Sequence, residues 1–141
     1  MGSLLSAVQF LTTIPIPARP SNQAVGLAPV PFHRTVAWFP TVGAILGCAL
    51  TLLDAALSIL LPSGVTAVLL VVAWLALTGA LHLDGLMDAA DGLLCHAEPA
   101  RRLEIMRDVA HGTFGIAAAL GVVLTKYVSL AALAGGERGL T

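Results

Sequence analysis

The 141-residue chain is 57% hydrophobic and only 11% charged, with 7 basic against 8 acidic residues and a mean hydropathy of +0.92. A water-soluble domain carries about a quarter charged residues, so this chain lacks the polar surface to cover a globule in water and its solvent is expected to be lipid. The near-balanced charge and the lack of any basic tract give no sign of a nucleic-acid partner.

In chain order, the N-terminal "SLLSAVQFLTTIPIP" is too short and too interrupted to cross a bilayer. Pro15, Pro17 and Pro20 stop any helix there, so an interfacial or re-entrant element is expected. No basic n-region and no A-x-A site are present, so a cleaved signal peptide is not expected. Residues 18–33, with Pro29 and Pro31, read as a loop.

Three segments then approach or exceed the roughly 20 apolar residues a spanning helix needs. They cover about 36–61, 65–83 and 113–135. Pro62, Ser63 and Gly64 make a short turn, which predicts an antiparallel hairpin of the first two. Gly43 and Gly47 have the GxxxG spacing that lets a second helix approach. Asp54 and Lys126 fall within spans, where a charge faces a bundle interior or lies near a boundary. Cys48 and Cys95 belong to no CxxC pair and read as small hydrophobes. The fold class is therefore all-α: one polytopic transmembrane helical bundle over residues 1–141, with an acidic segment at about 84–111 between spans.

Basic residues orient it. Arg19 and Arg34 precede the first span, the Pro62–Gly64 turn is uncharged, and Arg101, Arg102 and Arg107 follow the second. If basic loops stay inside, residues 84–111 face the cytoplasm.

That segment opens with "GALHLDGLMDAADGLL". On a helix, Asp84, Asp88 and Asp91 at i, i+4 and i+7 share one narrow face. Like charges so aligned repel unless a cation lies between them, and carboxylate oxygens suit Mg²⁺ or Mn²⁺ rather than zinc. Gly85 and Gly92 thin the helix for a bulky ligand. A second patch, "PARRLEIMRDVAHGTFG", reads as a helix from Pro99 to Gly112. It sets Glu104 and Asp108 at i, i+4 as another acidic face, and Arg101, Arg102 and Arg107 match phosphate oxygens. Divalent metal beside arginine is what transfer from a pyrophosphate-linked donor requires. The plainer reading of the second patch is a solvated helix with ordinary Glu–Arg pairs. His82 lies opposite the aspartate face and reads as a packing group. His33 and His96 fall in loops, and His111 abuts a helix end, where a cation is favourable.

"FLTTIPIP", "FHRTVAWFPTVGAILG", "LHLDGLMDAADGL" and "RRLEIMRDVAHGTFG" together resemble, in content and order, the cobalamin synthase family. The likeness runs from Phe10 to about Lys126. It implies a multi-pass enzyme of the bacterial cytoplasmic (inner) membrane, Mg²⁺-dependent, with its active site facing the cytoplasm. Such an enzyme joins adenosylcobinamide-GDP to α-ribazole or its 5′-phosphate and releases GMP. By that resemblance Asp84, Asp88 and Asp91 hold metal against the donor diphosphate. Arg107 and Asp108 belong to the second motif with Glu104 close by, and Asp91 or Asp108 accepts the hydroxyl proton. Family members run longer, which implies a chain incomplete at its C-terminal end. The lipid bilayer and the two substrates are the expected partners, and a homo-oligomer is left open.

Two other readings compete. Asp88-Ala-Ala-Asp91-Gly92 with Glu104 and Asp108 faintly resembles the signature of CDP-alcohol phosphatidyltransferases. A cation-coupled transporter subunit would use Asp84 and Asp88 for coupling, although transporters place such sites near the midplane.

Overall fold

The computed structural model describes residues 2–16, 32–108 and 110–138, with side chains as far as residue 134. The loop expected over residues 18–33 falls mainly outside these, as do Pro17, Arg19, Pro20, Pro29 and Pro31. The described residues form helices α1 (Gly2–Leu11), α2 (Phe32–Val36), α3 (Phe39–Leu57), α4 (Ser63–Thr78), α5 (Leu81–Leu94), α6 (Pro99–Ile105) and α7 (Thr113–Arg138). No strand occurs among them.

Two stretches are long and apolar enough to cross a membrane: α2 with α3 as Phe32–Leu57, and α7 over Thr113–Ala134. Large apolar side chains such as Leu52, Val128 and Leu133 remain 60 to 72% exposed, the expected state of a surface solvated by hydrocarbon. The first span ends earlier than its composition suggests. Ser58 to Leu60 form a turn before Pro62, whose ring would clash with the Ser58 carbonyl of a continuing helix.

α1 is 10 residues long, too short to cross, and packs on α3. Ala7, Leu11 and Val42 make a small buried cluster there, with Phe39 and Leu46 against it. Phe10 stacks on Phe39 at 5.7 Å between ring centroids, and Phe32 meets Phe10 edge-on at 6.0 Å. Gly43 and Gly47 face open space on α3, so nothing among the described residues uses the GxxxG groove.

The second predicted span is not one straight helix. α4 has 16 residues, about 24 Å of rise, short of a hydrocarbon core of about 30 Å. It ends at Gly79 (φ 59°) and Ala80 (φ 57°), both left-handed, and α5 leaves at 87°. Left-handed Ala80 costs about 1–2 kcal/mol, so other contacts must hold the break. They come from Thr13: its amide donates to Leu77 O at 2.9 Å and its hydroxyl to Ala76 O at 2.7 Å. Carbonyls freed at a helix end inside a membrane need such partners. Glycine is required at 79, since a Cβ there would lie 2.9 Å from Thr13 Cγ2. The break turns α5 away from α4 while α7 packs along both, and that arrangement builds the site.

Candidate functional site

α5 places Asp84 in its first turn, where the positive end of the helix favours an acid. Asp88 follows one turn later. Opposite them stands His111, carried by the segment between α6 and α7. Its Nε2 lies 3.7 Å from Asp84 Oδ1 and its Nδ1 lies 3.8 Å from Asp88 Oδ1. Both gaps are too long for hydrogen bonds. One donor atom from each residue lies within 4.8 Å of the other two. Donors bound at about 2.1 Å to one octahedral ion stand about 3 to 4.2 Å apart, so this set fits a divalent cation after small side-chain adjustments. Two carboxylates and one imidazole suit Mg²⁺ less strictly than an all-oxygen set and admit Mn²⁺ equally. The side chains are 61%, 31% and 33% exposed for Asp84, Asp88 and His111, which leaves room for a ligand.

Asp91 shares the helix face but has a different employment. Its Oδ2 accepts the Gly112 amide at 2.6 Å and its Oδ1 accepts the Gly115 amide at 2.8 Å. The residue is buried. These amides belong to the start of α7, so Asp91 caps that helix from another one. The "HGTFG" glycines then have a physical reason. A Cβ at Gly112 would lie 2.6 Å from Asp91 Oδ1, and one at Gly115 would meet the same carboxylate and stand 2.9 Å from Met87 O. The expectation of three aspartates around one metal thus resolves into two that group with a histidine and one that grips backbone. The expectation for the glycines of α5 changes too. Gly85 faces open space, whereas Gly92 gives room to the Met106 side chain rather than to a ligand.

The second patch is less regular than a helix to Gly112. α6 ends at Ile105, and Arg107 and Asp108 follow through short backbone bonds to Glu104 and Ile105. The Asp108 side chain accepts the Ala110 amide at 3.1 Å, a local bond that competes with helix continuation. Glu104 and Asp108 therefore do not share a helical face. Arg101 pairs with Glu104 at 2.7 Å on the exposed surface, which raises the Arg101 pKa through that hydrogen bond and the Glu104 charge. This is the ordinary Glu–Arg pair of the plainer reading. Arg102 donates from Nε to Ala97 O at 2.8 Å. Among the described residues no arginine lies within ion-pair distance of Asp84 or Asp88. Arg107 and Asp108 stay exposed in the segment that carries His111.

In the sequence His111 stands out only through its place in "RDVAHGTFG", where a helix-end cation gives no hint of facing Asp84. His82 is exposed and lines a 330 Å³ cavity with Trp74, Leu86 and Lys126. A larger one, of about 550 Å³, opens between α3, α4 and α7 and takes in both Asp54 and Lys126. Lys126 Nζ stands 4.3 Å from the Trp74 ring centroid, a cation–π contact that offsets part of its desolvation.

Over residues 3–140 the chain matches the model of the family described as cobalamin-5-phosphate synthase. The chain belongs to that family. Among its curated relatives, the adenosylcobinamide-GDP ribazoletransferase of Thermosynechococcus vestitus is 44% identical over 94% of this chain and 51% of its own length. The proteins of that name from Desulfitobacterium hafniense and Brevibacillus brevis are 45% and 37% identical, over 94% and 95% of this chain and 50% and 52% of theirs. The chain thus spans about half the length of these cobalamin-5-phosphate synthase relatives. No solved structure matches it.

Proposed function

We propose that the protein acts in cobalamin assembly, transferring the cobinamide phosphate of adenosylcobinamide-GDP to α-ribazole or its 5′-phosphate and releasing GMP. The observation that carries this reading is the convergence of Asp84, Asp88 and His111 within 4.8 Å beside an apolar bundle, in a chain whose relatives carry the name of that reaction. A divalent cation held by these three, Mg²⁺ in this reading, supplies charge neutralisation for the diphosphate and the departing phosphate.

In the transfer the ribose hydroxyl oxygen bonds to the cobinamide-side phosphorus. The bond from that phosphorus to the bridging oxygen breaks, the oxygen leaves with GMP, and the hydroxyl proton passes to a base. Of the two carboxylates considered for that base, Asp91 has both oxygens engaged by amides. Asp108, exposed in the segment of His111, has one oxygen on the Ala110 amide and keeps the other free, which favours it as the base. Arg107 beside it offers its guanidinium to phosphate oxygens, while Arg101 and Arg102 are engaged by Glu104 and Ala97. Arg101, Arg102 and Arg107, all in the segment between α5 and α7, support a cytoplasmic-facing centre in the inner membrane.

The test supplies adenosylcobinamide-GDP and α-ribazole 5′-phosphate to membranes containing the protein. GMP and cobalamin phosphate should form one for one, stop on addition of EDTA, and resume with excess Mg²⁺. Turnover indifferent to EDTA, or no GMP at all, contradicts the proposal.

A further inference from the structure

We infer that Asp91 is a positioning residue: by clamping the start of α7 it sets His111 across from Asp84 and Asp88. The inference rests on the metal reading above and adds the device that assembles the site.

His111 immediately precedes Gly112, whose amide lies 2.6 Å from Asp91 Oδ2, and Gly115 is held by Oδ1 at 2.8 Å. Two bonds from one buried carboxylate to amides three residues apart fix both the position and the rotation of the helix start. His111 therefore projects from a backbone that is pinned to α5, the same helix that carries Asp84 and Asp88. On the other side, its segment is shaped by the Asp108 turn onto Ala110 and rests on α5 only through the apolar packing of Met106 on Gly92, five residues before His111. Asp91 is the hydrogen-bonded tether next to the imidazole, and it refers that group to the two carboxylates. The glycines at 112 and 115 complete it, since a Cβ at either would push the carboxylate away. A donor set split between two chain segments holds an ion tightly only when such outer contacts orient it, and their loss costs about 10- to 100-fold in metal affinity.

A purely structural cap would lower stability without acting through His111, and a double-mutant cycle separates the two. Mn²⁺ binding is read by electron paramagnetic resonance on the detergent-solubilised protein and on Asp91→Asn, His111→Ala and the double variant, with thermal midpoints recorded. Asp91→Asn keeps one acceptor oxygen and should weaken Mn²⁺ binding about 10-fold. In the His111→Ala background the same change should produce no further loss, because the group it positions is gone. Gly112→Ala, which presses on the carboxylate from the other side, should repeat this pattern and replaces Asp91→Asn if that variant fails to fold. Unchanged affinity in Asp91→Asn, or an equal loss with and without His111, overturns the inference while leaving the metal reading intact. Failure of the unmodified protein to bind Mn²⁺ removes both.

Discussion

Alanine in place of Asp88 is expected to cut product formation by about 10²- to 10³-fold, the usual cost of deleting one group that stabilises transition-state charge. Asp88 is half of the only carboxylate pair that groups with an imidazole among the described residues. Without it the cation would be held by Asp84 and His111 alone, and the diphosphate would lose its fixed counter-charge. Asp88→Asn, which keeps the shape and removes the charge, should fall nearly as far. Assaying GMP release from membranes with matched protein content checks both. Full Mg²⁺-dependent turnover in either variant would refute the role given to Asp88.

Gly115→Ala should produce the largest loss of stability. The added methyl would run into the Asp91 carboxylate and stand 2.9 Å from the Met87 carbonyl, which is backbone and does not swing away. Relief requires α5 and α7 to separate, and separation leaves a buried carboxylate short of its amides. Overpacking costs about 1–3 kcal/mol and an unsatisfied buried polar group about 1–3 kcal/mol more. A loss of about 3 kcal/mol or more is therefore expected, read as a clear fall in the thermal midpoint in detergent. At Gly85 the same substitution meets nothing within 4 Å and should leave the midpoint nearly unchanged. Equal midpoints for the two variants would show that the close approach of α5 and α7 is not real.

The all-helical membrane architecture could be read from composition because it depends on summed hydropathy, which tertiary contacts do not alter. The break after α4 could not. Residues 65–83 are mostly apolar and carry no acidic residue, lysine or arginine, and the bend is held by Thr13, more than sixty positions away in sequence; Gly79 is its only local trace. Likewise, helical spacing correctly set Asp84 and Asp88 on one face, but the same spacing swept in Asp91. What separates Asp91 from its neighbours is a partner, the start of α7, that periodicity does not display. The helix expected to Gly112 stopped at Ile105 because Asp108 bonds its own backbone. That early stop releases the segment that brings His111 to the site, so one missed boundary hid the third member of the candidate metal centre.

Mn²⁺ titration followed by electron paramagnetic resonance tests, without needing substrate, whether Asp84, Asp88 and His111 hold one divalent cation. One bound ion per chain, displaced by excess Mg²⁺ and lost in Asp84→Ala and in Asp88→Ala, is the predicted result. No bound ion, or one that survives both substitutions, would contradict it.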